Sequence, residues 1–186
     1  MPPTIALPEH ALVAVSRSAL TTLRSALLRD GGPAAAAARQ EAGYAGGDAV
    51  FSAFRAWLQA RGEAEPETLD LDVFQRLASH FFREAGWGSI EIGSLHDAVA
   101  TVDSEDWADA DPTEGLDAPG CHFTTGMLAD FFGRVSDVPL SVLEVECRSA
   151  GASRCRFLLG NADVMRYVYD GLENGTRYDE VVGRVR

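Results

Sequence analysis

The chain has 186 residues, 46% of them hydrophobic and 24% charged: enough apolar material for one buried core, and too much for intrinsic disorder. A formal charge of -12 and a pI of about 4.6 repel phosphate backbones and anionic lipid surfaces, so neither nucleic acid nor a membrane is expected as a partner. The longest apolar-looking stretch, 33–38, is far short of the ~20 residues a bilayer span needs, and no basic region precedes an apolar N-terminal segment, so a cytoplasmic location is expected.

From residue 8 to 29, Leu12, Val13, Val15, Leu20, Leu23, Leu27 and Leu28 recur at helical spacing, and Asp30-Gly31-Gly32-Pro33 is expected to stop this first helix. Residues 34–61 predict a second helix, long or kinked, with small residues first and then Val50, Phe51, Phe54, Trp57 and Leu58. Within it Gly43 and Gly47 share one face beside Tyr44, where either a neighbouring backbone approaches closely or the helix kinks. After the polar stretch 62–68, an Asp of Leu69-Asp70-Leu71-Asp72 can cap a third helix carrying Val73, Phe74, Leu77, Phe81 and Phe82, which Gly86-Trp87-Gly88 ends.

The period then changes to alternation in 89–93 and 98–102, two short strands of a hairpin or of neighbouring positions. The acidic stretch 103–119 reads as a solvated loop, because a calcium loop's regular ligand spacing and central Gly are missing. Residues 122–135 predict a fourth helix, with Phe123, Met127, Leu128, Phe131 and Phe132 at helical spacing. Strands at 140–148 and 154–159 flank a small-residue loop around Gly151, and a last amphipathic helix at 162–173 precedes Asn174-Gly175. Helices followed by strands, a helix and a hairpin predict the α+β class: an antiparallel sheet packed against helices in a single domain over 1–186.

Three cysteines cannot all pair within one chain, and a reducing compartment favours thiols or metal ligation. Cys147 and Cys155 stand symmetrically about Gly151, so a hairpin turning there brings their Cβ atoms to roughly 4.5 to 5.5 Å. Cys121 directly precedes a predicted helix, whose positive end favours a thiolate. Zinc accepts three thiolates with one nitrogen or oxygen ligand, and such a set needs positive neighbours. Arg148, Arg154 and Arg156 either serve as those neighbours or are solvated hairpin charges. The cysteines equally suit small buried hydrophobes, or a disulfide between the facing pair.

The set Cys121-x22-Glu144-x2-Cys147-x3-Gly151-x3-Cys155-x-Phe157, with Gly126 in the intervening helix, resembles the 4-vinyl reductase domain family, which includes aromatic-effector sensing and hydrocarbon-binding domains. The weaker segments Val102-Asp103-Ser104-Glu105-Asp106-Trp107-Ala108 and Gly43-Tyr44-Ala45-Gly46-Gly47 extend the resemblance over 43–159. It implies a fold shared with nitric-oxide-signalling and Golgi-transport proteins, a 4-vinyl reductase-like domain at 43–160, a homodimer formed through the N-terminal helical region (1–42), and a C-terminal helix and tail at 161–186. It also implies zinc at Cys121, Glu144, Cys147 and Cys155. Residues three apart on a straight strand point to opposite faces, so Glu144 and Cys147 require a bulge or a strand end, and Glu146 and His122 stay open as fourth ligands.

A zinc ion with every position filled by protein is structural, so function is expected in an aromatic-lined pocket. Candidates for its lining are Phe81, Phe82, Trp87, Trp107 and Phe123, each of which also suits ordinary core packing. No enzyme is expected: His10, His80, His96 and His122 are scattered, and no Ser or Cys has a base at motif spacing. The expected function is a binding and sensing module for a small hydrophobic or aromatic ligand, acting as a dimer or through a downstream regulatory protein, since no DNA-binding or ATPase segment is recognisable. Alternatives are an accessory role in tetrapyrrole or bacteriochlorophyll biosynthesis and a structural adaptor without ligand.

Overall fold

A computed structural model describes residues 5–185, and its dominant element is one helix, α1 (Arg17–Gln59). The predicted first helix starts later than its apolar pattern suggests. A 3-10 turn (Leu7–His10) is followed by irregular chain up to Ser16, whose Oγ accepts the Ala19 N–H at 3.3 Å and starts α1 there.

The expected stop at 30–33 does not occur, because α1 runs through it. Arg24 and Arg39, on either side of that stretch, both reach the Asp109 carboxylate, at 3.7 and 3.1 Å. One buried carboxylate thus ties down the helix on both sides of its weakest sequence, and tertiary ion pairing overrides the local preference.

Next come α2 (Leu71–Glu84), β1 (Glu91–His96), β2 (Val99–Ser104), α3 (His122–Ser136), β3 (Ser141–Glu146), β4 (Cys155–Gly160), α4 (Ala162–Glu173) and α5 (Tyr178–Val182). Asp70 occupies the N-cap position of α2 without a side-chain capping bond. The strands form one antiparallel sheet in the order β1-β2-β4-β3. Helix α5 lies where the sequence suggested only a tail. Five residues are too few to show a period, yet Val181 and Val182 are buried and Val181 packs beside Gly171 of α4.

Alternation along the strands separates two apolar clusters. Val102, Val142, Phe157 and Leu159 face α1, α2 and α3, whereas Val99 and Leu158 face Met165 and Val168 of α4 and the α5 valines. The sheet is therefore a middle layer. Its larger core is aromatic: Phe54 and Phe81 lie 5.1 Å apart between ring centres, as do Phe82 and Phe131.

Helix α3 lies along α1 at backbone contact distance. A methyl group on Gly43 would come within 1.9 Å of the Phe123 carbonyl oxygen, and one on Gly126 within 1.9 Å of the Gln40 carbonyl oxygen. Gly43 thus serves close approach, and this packing sets where Cys121, at the start of α3, meets the sheet.

The acidic stretch is only partly solvated. Trp107, Ala108 and Asp109 are buried, and Arg24 pairs with Glu114 as well as Asp109. Asp109 also accepts from the Thr124 hydroxyl at 2.9 Å, and Thr124 in turn accepts from the Trp107 indole N–H at 2.8 Å. The loop is pinned to the β3–β4 connection by buried Ser149, whose hydroxyl accepts the Asp111 N–H and whose carbonyl accepts the Leu116 N–H.

Candidate functional site

The two ends of the motif converge because β3 is irregular. Glu144 pairs with Phe157 and Glu146 with Arg156, so two steps along β3 answer one along β4 and Val145 is the extra residue of a bulge. Before the bulge Glu144 faces the helices; after it Cys147 does so too, and Glu146 is turned to the opposite side of the sheet. This resolves the objection that residues three apart should point apart.

Cys121, Glu144, Cys147 and Cys155 are all buried, and their ligand atoms lie within 4.8 Å of one another. The three cysteines are free, with the Cys121 and Cys147 sulfurs 3.8 Å apart. Two thiolates on one tetrahedral zinc, with Zn–S of about 2.3 Å, would be separated by about 3.8 Å. Glu144 Oε2 accepts the Cys121 N–H at 2.8 Å, while Oε1 is buried with no hydrogen-bond partner. A buried carboxylate oxygen without a hydrogen-bond partner beside three thiols fits a cation ligand, and the sulfur-rich donor set suits zinc.

Proton affinities describe the same arrangement. Hydrogen bonds from the Cys121 and Cys155 thiols lower the proton affinity of Cys147 from its ordinary value. Cys121 is pushed well up by its bonds to Cys147 and Cys155 and by burial. Its own bond to Cys155 draws that thiol down, but the Cys155 bond to Cys147 and burial together outweigh this and raise it. Burial and the neighbouring Cys147 charge raise Glu144 as well.

The alternatives for a fourth ligand sit elsewhere. Glu146 is held by Arg154 at 2.9 Å and by the Tyr178 hydroxyl on the other side of the sheet. His122 is half-buried and outside the four-residue group, its proton affinity lowered by burial and then by the Arg39 charge. Arg154 and Arg156 are not the positive neighbours of the thiols, since both pair with Asp103 on the outer face. The nearby cation is Arg39 of α1, which donates to the Gly120 carbonyl at 2.8 Å. Sequence distance hides this contact, since nothing local links residue 39 to residue 120.

The five aromatic candidates divide. Phe82 and Trp107 are sealed in the core, 5.6 Å apart between ring centres. Phe81, Trp87 and Phe123 border a cavity of about 440 Å³ between α1, the end of α2, the start of α3 and the N-terminal segment. Trp87 is stacked parallel to Phe123, with an interplanar angle of 9° and 5.9 Å between ring centres, and both side chains border the cavity. Met127 and Val50 add to the apolar lining, and among the described residues Arg17 is the one charged side chain on it. A second cavity, of about 500 Å³, opens between the β1–β2 hairpin and the ends of α2 and α3, bordered by Phe74, Ile92, Ala100 and Leu159. It was not legible in the sequence, because its walls come from five separate elements.

Residues 105–161 match the 4-vinyl reductase domain. The match covers the acidic loop, α3 and both strands of the cysteine hairpin, and leaves the 43–47 segment outside. No curated protein matches the sequence. Among solved structures, the phenol-responsive sensory domain of the transcription activator PoxR with phenol shares 15% identity at a TM-score of 0.60, over 88% of this chain and 82% of that one. A trafficking protein particle complex subunit 3 from Naegleria fowleri, covalently bound to palmitic acid, shares 8% identity at a TM-score of 0.54, over 77% of this chain and 91% of that one. A vinyl-4-reductase family protein from Methanocaldococcus jannaschii shares 17% identity at a TM-score of 0.43, over 61% of this chain and 68% of that one. The fold is common to the first two.

Proposed function

Starting from a 4-vinyl reductase domain segment at residues 105–161, we propose that the chain is a non-catalytic module that binds a small aromatic or hydrophobic molecule in the cavity beside Trp87 and Phe123. The observation that carries this reading is the stacked Trp87–Phe123 pair bordering a space of about 440 Å³. A space of that size suits a one- or two-ring compound, and an all-apolar wall with a single cation at its rim, Arg17, favours a ring bearing one hydrogen-bond acceptor. The likeness of fold to a sensory domain with phenol supports the same ligand class.

Zinc held by Cys121, Glu144, Cys147 and Cys155 is the structural component of the proposal. Four protein ligands leave no place for a substrate, so the ion would clamp the start of α3 to the β3–β4 hairpin. Ligand occupancy is then passed to a second copy of the chain or to a regulatory protein, in the reducing cytoplasm where three free thiols persist.

The test is isothermal titration with phenol and 2-naphthol, run beside tryptophan fluorescence and metal analysis of the same sample. Saturable heat and a change in emission that disappears in Trp87→Leu are expected. No heat and no fluorescence change with either compound would leave the structural-adaptor reading in its place.

A further inference from the structure

One side of the cavity is closed by the N-terminal segment 5–16 rather than by the body of the fold. Ile5, Leu7, Leu12, Val13 and Val15 of this segment border the cavity, opposite Phe81, Trp87, Phe123 and Met127. Its attachment is unusual in kind. Among the described residues, the backbone hydrogen bonds of 5–12 run within the segment: Leu7 N–H to Ile5 O, Glu9 N–H to Ala6 O, Ala11 N–H to Pro8 O and Leu12 N–H to Leu7 O.

What holds it to the body is apolar, with Ile5 and Leu12 packed on the main core, while Val13 and Val15 remain 81% and 51% exposed. The first polar tie to the body comes just beyond the segment, where Arg17 donates to the Gly86 carbonyl at 3.0 Å. Lifting the segment therefore breaks none of these backbone bonds, and its turn is already strained, since Ala11 sits in the left-handed region at a φ of 55°. A space under an apolar cover also leaves that cover short of contacts, which an occupant supplies on both walls at once.

We propose that segment 5–16 is a strap that lifts to admit the ligand and is held down by it once bound. The hinge is the residues leading into Ser16, so the strap's position is passed directly to the N-terminal end of α1. This rests on the cavity being the ligand site, as argued above, and it adds how that site is entered and read.

The experiment is stopped-flow tryptophan fluorescence with phenol and 2-naphthol on the full chain and on Leu12→Ser, with hydrogen exchange of the full chain in parallel. Leu12→Ser weakens the underside of the strap, so association and dissociation should both speed up by roughly tenfold, whereas a lost ligand contact alone would speed only dissociation. Amides of 6–15 should exchange far faster than those of α3 in the free protein, and slow by at least about tenfold at saturating 2-naphthol. Unchanged association in Leu12→Ser, or strap amides as protected as α3 without ligand, overturns the strap while leaving the cavity in place. Failure of both proteins to bind either compound instead overturns the cavity reading, and the strap with it.

Discussion

Glu144 accepts the backbone N–H of Cys121 with one carboxylate oxygen at 2.8 Å and turns the other, unpartnered, toward three thiols. One residue thus fixes the start of α3 and offers a ligand atom. Protein purified under reducing conditions should carry one zinc per chain. Cys155→Ser should lose it, and Glu144→Gln, which keeps an acceptor for Cys121 but not the charge, should retain less than the parent. Binding at a thousandfold excess over Kd adds about 4 kcal/mol of stability, which is roughly 10 °C of melting temperature for a chain of this size. A melting point that ignores chelation would argue that the thiols act as buried hydrophobes.

Packing of α1 on α3 predicts a sharp contrast between two glycines. Gly126→Ala would force a methyl group into the Gln40 carbonyl and should cost about 3 kcal/mol or more in a urea melt. Gly46, in α1, has open space where its Cβ would be, and Gly46→Ala should stabilise by roughly 0.5 to 1 kcal/mol through helix propensity alone. Equal effects at the two positions would contradict the close helix contact.

Asp109 is the shared carboxylate of two buried arginines. Asp109→Asn leaves buried Arg39 without its charge partner and Arg24 with Glu114 alone, and should destabilise by about 3 to 5 kcal/mol. Losing Arg39's anchor should also loosen Gly120 beside the cysteines, so zinc loss on chelation should be faster in this variant. Exposed Arg55→Ala is the control, since its pair with Glu65 is solvated and should contribute little.

Glu146 provides a pH signature. Burial pushes its carboxyl up, but hydrogen bonds from Arg154 and Tyr178 outweigh this and hold it below its ordinary value of 4.5. A depressed carboxyl contributes stability that is fully present above the unfolded value and is lost as pH falls through the folded one. The stability gap between the parent chain and Glu146→Gln should therefore be largest near neutral pH and shrink on acidification below about 4.5. Urea melts at several pH values read this directly, and a gap that widened in acid would mean that Arg154 and Tyr178 do not hold the Glu146 carboxyl low.

Local patterns were enough to mark most elements. Helix α4 begins and ends where its apolar period predicts, and the alternation of 89–93 and 98–102 does form a hairpin. The three thiols were legible for the same reason: symmetry about Gly151 and a helix start after Cys121 are properties of short stretches of chain. Fold class, too, follows from the order of such stretches.

What sequence could not decide lies where distant segments compete with local preference. Gly31-Gly32-Pro33 looks like a helix stop, and only the two arginines converging on Asp109 show why α1 continues. The acidic loop looks solvated until Asp109 and Glu114 are seen paired with arginines of α1. Glu144 needed a bulge at Val145 to share a face with Cys147, and a bulge is a matter of pairing register, which one strand does not carry by itself. The aromatic candidates were alike in sequence. Packing alone sealed Phe82 and Trp107 in the core and left Trp87 and Phe123 facing an open space, because burial depends on what the rest of the chain brings to each ring.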